Sequence, residues 1–485
     1  MDIKELFKSS DIDTIIKELK LGRNSTEPDT DLYISQLDPS KHDIFDNAKR
    51  PDKTVKEDNP NPNENGNPIS PGYVGGEKEQ TKTVDVARIA LAIQKLIVKR
   101  AVAFTFGNQV TLNSEPENKA EITVLNAVKK VLFNTKSRTI NRKVAREIFS
   151  TTEAAELWYP VEKQANYGFA SKFKLRVAIF SPKNGDKLYP YFDETGDMIA
   201  FSREFLITDK NGKKITYFET YTDTEHLMWK QSENKWEIVE SYPKPITIGK
   251  IPIIYGKQDF VEWEDVQGLI DRLEILLSNF ADTNDYHASP KITVRGEVLG
   301  FAAKGETGAI LQLEGDNAEA KYLSWEHAPE SVRLEIETLL RMIYTITQTP
   351  DISFDSVKGI GAVSGIALKL LFLDAHLKVL EKMEIFDDYL QRRLSVIQAY
   401  IAQFNTGLKA ACESLTIEPE IVPYMIEDEQ AKVKLLTEAN GYKPVASQKA
   451  TIEMLGWTND NDAEYKQILQ EKEAEAYNNA IEKTV

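Results

Sequence analysis

The sequence has little of the chemistry from which catalytic and metal sites are usually built. It contains one cysteine, Cys412, and five histidines scattered over 485 residues. A single cysteine excludes an intrachain disulfide framework and is typical of a reducing compartment. So few thiolate and imidazole ligands also argue against a structural zinc site.

Long apolar runs are missing too. No stretch approaches the roughly 18 apolar residues that a membrane-spanning helix needs, and residues 1–20 lack the basic start and apolar middle of a signal peptide. With 41% hydrophobic and 28% charged residues, the composition is that of an ordinary soluble protein, long enough for several compact domains. We therefore expect no contact with a membrane.

Basic residues are fewer than acidic ones. The chain has 60 Lys and Arg against 76 Asp and Glu, a formal net charge of -16. Proteins that bind nucleic acid through its phosphates usually present a basic surface, so a sequence-specific DNA-binding protein is disfavoured. Two interpretations of the acidic charge remain. It keeps a solvated surface soluble, or it forms a wall that repels DNA so that the polymer slides past.

The common nucleotide, nucleophile and metal motifs are absent. No Gly-x-x-x-x-Gly-Lys-Ser/Thr, Gly-x-Ser-x-Gly or His-Glu-x-x-His string occurs. The nearest approach is Gly359-Ile-Gly361-Ala-Val-Ser-Gly365, which is one residue too long for the dinucleotide fingerprint and follows Pro350 and a helix instead of a strand. We interpret it as a flexible glycine hinge, or as a mobile loop that carries Lys358 towards a polyanion.

Acidic pairs, one histidine and the tryptophans have ordinary explanations. Asp387 and Asp388, and the acidic residues 427–429, are expected on solvated helix faces or at a helix start and not around a divalent ion. His376 lies near an apolar helix stripe, where it is expected to pack or to be solvated. Three tryptophans are expected to pack inside the protein: Trp263, Trp325 and Trp457. We predict no catalytic residue, metal ligand or cofactor.

Hydrophobic periodicity divides the chain into helical and β regions. Residues 1–50 predict one short helix and a loop, and residues 51–80, rich in Pro, Asn and Gly, predict an exposed insert. Period-two patterns and Asn-Gly or Thr-Gly turns predict an antiparallel β region over residues 153–254. Other predicted elements are helices at 81–106, 118–133, 142–152, 262–286, 329–349 and 364–404, short strands at 291–327 and 415–424, and helices at 427–439, 447–455 and 460–481.

Five strings resemble one family. Ile-Pro-Ile-Ile-Tyr at 251–255 leads into Asp-Val-Gln-Gly-Leu-Ile-Asp at 265–271, and Ser-Gly-Ile-Ala-Leu-Lys at 364–369 opens the longest predicted helix. Residues 97–107 and 446–455 supply the other two strings. Together with a helix, a small strand module, a second helix and a glycine loop before that long helix, they resemble the SPP1-type portal proteins of tailed bacteriophages.

The resemblance implies an α+β, portal-like fold, with long stem and wing helices, an antiparallel β wing region, a small α/β or β clip and a helical crown. By position, the implied regions are a wing at 1–261 with a flexible insert at 51–80, stem helices at 262–288 and 329–349, a clip at 289–328, a tunnel loop at 350–363, a long kinked helix with wing strands at 364–425, and a crown at 426–485.

The resemblance also implies a non-enzymatic function. A ring of about twelve subunits would form a channel at the portal vertex of the capsid, through which double-stranded DNA is packaged and ejected. Its implied partners are the terminase large subunit of the packaging motor, a head-to-tail adaptor, and the major capsid and scaffolding proteins. The implied location is the virion, with assembly in the host cytoplasm.

The resemblance implies two sets of functional residues, one that lines the channel and one that contacts partner proteins. The tunnel loop would carry Ser356, Lys358, Gly359, Gly361 and Ser364, with Lys358 facing the channel. The clip would meet its partners through Lys291, Thr293, Arg295, Lys304, Gln312 and Lys321. Two alternatives stay open: a nucleotide-binding enzyme that uses the glycine loop at 359–365, and another head or adaptor protein with long helices.

Overall fold

A computed structural model describes most of the chain. The described residues are 6–7, 11–23, 27–56, 81–210, 212–233, 235–287, 291–300, 312–323, 328–351, 372–424, 429–441, 444–458 and 460–482. They fall into two compact units, residues 1–350 with 375–423, and residues 351–374 with 424–485. Among the described helices, none is long and apolar enough to cross a membrane.

The first unit mixes helices with antiparallel sheets. Its helices are α1 (Ile12–Leu21), α2 (Thr30–Leu37), α3 (Ile93–Phe106), α4 (Lys119–Asn134), α5 (Ser137–Thr151), α6 (Gln267–His287), α7 (Ala328–Ile346), most of α8 (Leu373–Phe404) and α9 (Lys409–Ser414). The second unit contains α10 (Glu429–Ala439), α11 (Gln448–Leu455) and α12 (Asn461–Glu482). Ser447 begins α11 as an N-cap, because its side chain accepts a hydrogen bond from the Ala450 amide.

Every described strand pairing is antiparallel. The strands are β1 (Lys53–Lys56), β2 (Thr81–Val84), β3 (Thr111–Asn113), β4 (Glu153–Asn166), β5 (Ala170–Phe180), β6 (Lys187–Phe192), β7 (Met198–Thr208), β8 (Lys214–Tyr221), β9 (Glu225–Ser232), β10 (Lys235–Ile238), β11 (Lys244–Pro245), β12 (Ile253–Lys257), β13 (Lys291–Gly300), β14 (Gln312–Leu323) and β15 (Glu418–Glu420). One sheet has the order β10-β9-β8-β7-β6, with β11 beside β9, and another has β12-β4-β5. The pairs β1–β2, β13–β14 and β3–β15 complete the set.

The largest core lies between the helices and the β12-β4-β5 sheet. α5 contributes a stripe at helical spacing, from Val144 through Ile148, and the long helix α8 adds residues spaced by three or four, from Phe386 to Ile401. A second core packs α1, through Leu19, against the larger sheet. These helix faces and sheets fix the positions of α6, α7 and α8, from which the candidate site is built.

The mixed helical and antiparallel β character agrees with the predicted fold class. The β region at 153–254, the helices near 118–133 and 262–286, and the three C-terminal helices are confirmed within a few residues. The third predicted helix begins earlier than expected, at Ser137, because Lys136 takes a left-handed conformation with φ 57° and closes a tight turn after α4. The strand pair expected within 415–424 is wrong: that segment has one described strand, β15, which pairs with the distant β3.

The predicted helix at 81–106 is wrong in its first half. Residues 81–84 form a strand, residues 85–92 form neither helix nor strand, and the helix begins only at Ile93. The amides of Ala87, Ile89 and Leu91 donate to side chains of α6, at 2.7, 2.9 and 2.8 Å. Alternate amides are thus satisfied by acceptors from another helix, and these bonds replace the helical ladder.

Three smaller expectations have mixed outcomes. The N-terminal 50 residues contain a second helix, α2, capped by the Asp29 side chain, which accepts from the Leu32 amide at 3.1 Å. The insert at 51–80 is bounded by the β1–β2 pair, and residues 57–80 lie outside the described chain. Trp263 is fully buried as expected, whereas Trp457 is 69% exposed, and Trp325 lies outside the described residues.

Candidate functional site

The candidate site is a helix–hairpin–helix segment formed by α6, β13, β14 and α7. The strands pair so that Thr293 lies opposite Lys321, Arg295 opposite Glu319, and Gly300 opposite Gln312. The pairing therefore brings together most of the residues predicted for the clip. Lys291 pairs with Leu323, and Lys304 lies outside the described residues.

α6 and α7 pack side by side through apolar residues on one face of each. Ile270 and Leu273 of α6 and Ile343 of α7 are fully buried in the main core. On the exposed side, the Arg272 guanidinium donates to Glu335 at 2.7 Å and so links the two helices. The two helices of the segment therefore form a packed pair.

α6 is also fastened to the body of its unit by a buried histidine–carboxylate pair. His42 Nδ1 lies 2.7 Å from Glu274 Oε1, and His42 Nε2 lies 2.8 Å from the Gln36 carbonyl. Burial alone would lower the pKa of His42, but the hydrogen bond to Glu274 and its charge outweigh burial and raise that pKa. Two oxygen acceptors on the two ring nitrogens suit the protonated imidazolium, which donates from both.

The segment that follows α7, residues 347–350, is held in place by side chains of two other helices, and we call it the held exit. Lys378 of α8 donates to the Thr347 carbonyl at 3.0 Å, and Arg100 of α3 donates to the Pro350 carbonyl at 2.6 Å. Thr349 is buried, and its amide donates to the Tyr344 carbonyl at 2.9 Å. Residues 347–350 are thus fixed by two cations from different helices, at the point where the predicted tunnel loop begins.

A buried carboxylate neutralises the cations behind this exit. Glu262 lies 2.5 Å from Lys378 and 3.0 Å from Lys382, and its side chain is 2% exposed. Burial would raise the pKa of Glu262, but the two lysines outweigh burial and hold it below the usual value. The same carboxylate raises the pKa of Lys382 against the effect of burial. Glu262 and Lys382 therefore stay charged in the interior, as paired ions do.

α8 is fixed to the central sheet by a second buried charge. Arg393 donates to both carboxylate oxygens of Glu156 in β4, at 3.0 and 2.5 Å, and to the Asn141 side chain at 2.5 Å. Burial opposes its charge, yet Glu156 keeps the pKa of Arg393 above its usual value. Because two guanidinium nitrogens bind the two carboxylate oxygens in the interior, this pair fixes the rotation of α8 relative to the sheet.

The predicted tunnel-loop residues, Ser356, Lys358, Gly359, Gly361 and Ser364, all lie outside the described residues. What the structure places is the exit that precedes them. Glu262, Lys378 and Arg100 were not singled out from the sequence, because their partners are far away in the chain. The only sequence signal for Lys378 and Arg100 is charge on a largely apolar helix, and that signal is weak.

The reactive side chains that were weighed from the sequence, where the structure describes them, have ordinary surroundings. Burial raises the pKa of the Cys412 thiol to about 11, so it is not a thiolate nucleophile near neutral pH. His376 packs its ring 6.5 Å from that of Phe104. Asp387 and Asp388 are exposed, as predicted. Within the described ranges, no group of three or more His, Cys, Asp or Glu side chains is arranged to hold a metal ion.

Comparison with known proteins gives weak structural likeness and a strong family match. The neck of an empty gene transfer agent particle, reconstructed with C6 symmetry, is 11% identical, with a TM-score of 0.37 over 75% of this chain and 89% of that one. The neck of the native particle, reconstructed with C12 symmetry, is 11% identical, with a TM-score of 0.39 over 75% of this chain and 88% of that one. No curated protein matches the sequence.

The family match covers nearly the whole chain. Residues 31–477 match the family of phage portal proteins described as SPP1 Gp6-like. The span covers most of both units and every element of the helix–hairpin–helix segment. The chain therefore belongs to the SPP1 Gp6-like family of phage portal proteins and is a structural component of the virion.

Proposed function

We propose that the chain forms a ring of about twelve copies at one vertex of the capsid, around a channel through which double-stranded DNA is packaged and ejected. The observation that carries the proposal is the family match over residues 31–477. Closed cyclic symmetry follows when identical copies meet through a head-to-tail contact whose rotation closes. The chain acts as a passive channel and docking platform and catalyses no reaction.

Within this ring, each region of the chain has an assigned place. The α6–α7 pair, at about 262–288 and 329–349, is the stem, and residues 289–328 with β13 and β14 are the clip. Residues 350–363 are the tunnel loop, residues 426–485 are the crown, and the remaining sheets and helices are the wing. The held exit at Thr347 to Pro350 supports this division, because a moving loop needs a fixed base.

The charges of the stem suit a channel that DNA passes without sticking. Arg333 pairs with Glu330 and with Glu337, and Arg272 pairs with Glu335, so these exposed arginines are neutralised within the protein. A net charge of -16 for each copy adds repulsion towards the phosphates. Lys358, on the tunnel loop, then supplies sparse and salt-screened contacts with DNA at the narrowest point.

The partners follow from the same assignment. The clip, through residues such as Lys291, Arg295 and Lys321, meets the terminase large subunit during packaging and the head-to-tail adaptor afterwards. A two-stranded hairpin with open edges is suited to strand pairing with a neighbour. The wing meets the major capsid and scaffolding proteins while the particle assembles in the host cytoplasm.

Electron microscopy and native mass spectrometry of the purified chain test the proposal. We expect rings with a central hole and a mass near twelve copies. A chain that stays monomeric or dimeric across a range of protein and salt concentrations would contradict the proposed function. A ring assembled with Lys358 on its outer rim would contradict the tunnel-loop assignment while leaving the ring intact.

A further inference from the structure

The junction of α4 and α5 carries an unusual surface on this acidic chain. Two adjoining cavities, of about 370 and 900 Å³, share Leu112, Lys129 and Phe133. Of the described residues that line them, none is a carboxylate, whereas Lys129, Lys136 and Arg138 are exposed cations. We call this surface the basic cleft.

The basic cleft combines free charge with apolar contact area. The Phe133 side chain is 81% exposed at its mouth, and Leu390 and Leu394 of α8 lie at its floor. Within the described part of the chain, neither Lys129 nor Lys136 has an ion-pair partner. Unpaired cations around an apolar hollow are suited to a partner with an apolar anchor and acidic neighbours.

The same chain presents such a partner elsewhere. Phe260 is 67% exposed, although its neighbours Val261 and Trp263 are buried. It is flanked by Asp259, whose side chain is 83% exposed, and by the exposed Glu264 and Asp265. Asp259 forms an ion pair with Lys257, at 3.9 Å, and Lys378 and Lys382, which line the same cavity, are paired with the buried Glu262. We call residues Asp259, Phe260, Glu264 and Asp265 the acidic knob.

The acidic knob is held in shape by its own backbone. The Gln258 side chain donates to the Phe260 carbonyl at 2.6 Å, and the Glu264 amide donates to the Val261 carbonyl at 3.1 Å. An aromatic ring kept outside by a fixed backbone is pre-organised for contact, because little conformational freedom remains to be lost on binding.

Helix α5 separates the two surfaces within one chain. Ser137 and Arg138, at its first turn, line the basic cleft. At its other end, the Phe149 carbonyl accepts from the Glu262 amide at 3.2 Å, and the Thr152 carbonyl accepts from the Gln258 amide at 2.8 Å. The 15 residues of α5 span about 20 Å. A chain therefore cannot place its own knob in its own cleft.

We infer that the acidic knob of one copy docks into the basic cleft of a second copy, with Phe260 as the anchor. Complementary surfaces at opposite ends of a rigid helix give a head-to-tail contact, which closes into a ring when the rotation permits. The inference rests on the proposed ring and assigns surfaces to one of its subunit contacts. The apolar anchor supplies affinity, while the charges select the orientation.

Two complementary variants test the contact. The knob variant carries Asp259→Lys and Phe260→Ser, and the cleft variant carries Lys129→Glu and Lys136→Glu. We expect the protein concentration needed for ring assembly to be at least tenfold higher for each variant alone than for the unmodified chain. The matched control, Leu206→Ala with Lys214→Glu, changes an exposed apolar residue and an exposed lysine on β7 and β8, and we expect it to assemble normally.

Mixing the two variants gives the decisive readout. Each keeps one intact surface, so a mixture has a single productive contact, and native mass spectrometry should show one-to-one dimers and no rings. Rings from either variant alone at unmodified concentrations, or a mixture that stays monomeric, would overturn the inference. An unmodified chain without rings would overturn the proposed function instead, and the mixture would still decide the knob–cleft contact.

Discussion

At the scale of single residues, the interior of this protein is organised by charges that meet across long stretches of chain. Arg393 and Glu156 are 237 positions apart, and His42 and Glu274 are 232 apart. Each buried cation is matched by a carboxylate, because an isolated charge in the interior would cost several kcal/mol. These pairs connect helices to the sheets that support them, and a single substitution can test each one.

Removing the carboxylate from the Arg393 pair should destabilise the first unit strongly. In Glu156→Gln, the guanidinium stays buried with only neutral acceptors, so we expect a loss of about 3–5 kcal/mol in the free energy of unfolding. Urea denaturation measures it. Glu162→Gln, an exposed change on the same strand β4, is the matched control and should cost little. Equal losses in the two variants would contradict the role given to Glu156.

The His42–Glu274 pair should make stability fall as pH rises above the pKa of an unfolded histidine. An unfolded histidine titrates near ~6.5, whereas Glu274 raises the pKa of His42 in the folded protein. The folded state therefore binds more protons in the window between these two pKa values. The stabilisation is complete below the unfolded pKa and is lost as pH rises through the folded one.

The measurement is the urea midpoint at pH values from about 5.5 to 9. His42→Gln removes the titrating group while keeping a side-chain donor. Between the unfolded and the folded pKa of His42, we expect the urea midpoint of the unmodified chain to fall more than that of His42→Gln. Parallel pH profiles for the two proteins would show that His42 does not titrate with folding.

At the scale of elements, hydrophobic periodicity predicted most helices and the antiparallel β region. It failed where the hydrogen-bond partners of a segment lie far away in the chain. Residues 85–92 have the apolar spacing of a helix, yet their amides are satisfied by Glu274, Ser278 and Asp282 of α6. Nothing local indicates those acceptors, which lie 183 to 195 residues away in the chain. The early start of α5 was missed for a related reason, because it depends on the left-handed turn at Lys136.

The exit from α7 depends on one lysine of α8, and its loss should loosen that end of the helix. Lys378→Met removes the donor to the Thr347 carbonyl and one partner of Glu262. Hydrogen bonds to charged groups are worth about 1.5–3 kcal/mol, so the Thr347 and Thr349 amides should exchange roughly 10- to 100-fold faster.

Hydrogen–deuterium exchange followed by mass spectrometry measures these amides in the intact chain. Lys409→Met is the control, because its side chain is 70% exposed and its carboxylate partner Glu413 is 4.0 Å away. We expect no change around residues 343–350 in that control. Unchanged exchange at Thr347 and Thr349 in Lys378→Met would contradict the role given to this lysine.

At the scale of the whole molecule, the order of elements carried more information than any motif. The strings at 251–255, 364–369 and 446–455 are individually weak, but their order around long helices resembled one family, and the match over residues 31–477 confirms it. The surfaces were not predictable in the same way. The basic cleft depends on how α4, α5 and α8 meet, and the acidic knob depends on which side Phe260 takes, so neither leaves a sequence pattern.

The described apolar cores lie entirely within the first unit, which leads to a prediction for a shortened chain. The last member of the main core is Ile421, and the Asn108 side chain donates to the Pro423 carbonyl at 3.1 Å. A chain ending after residue 423 keeps those cores, the acidic knob and the basic cleft. We therefore expect its urea unfolding to stay cooperative, with a midpoint close to that of the full chain.

The shortened chain should also assemble head to tail, because both proposed contact surfaces lie in its part of the sequence. Native mass spectrometry of residues 1–423, alone and with the knob or cleft substitutions, measures this directly. We expect oligomers from the shortened chain and their loss in either substituted form. A shortened chain that unfolds without a sharp transition would show that residues 424–485 are needed for the fold of the first unit. A cooperative but strictly monomeric one would show that they are needed for the contact between copies.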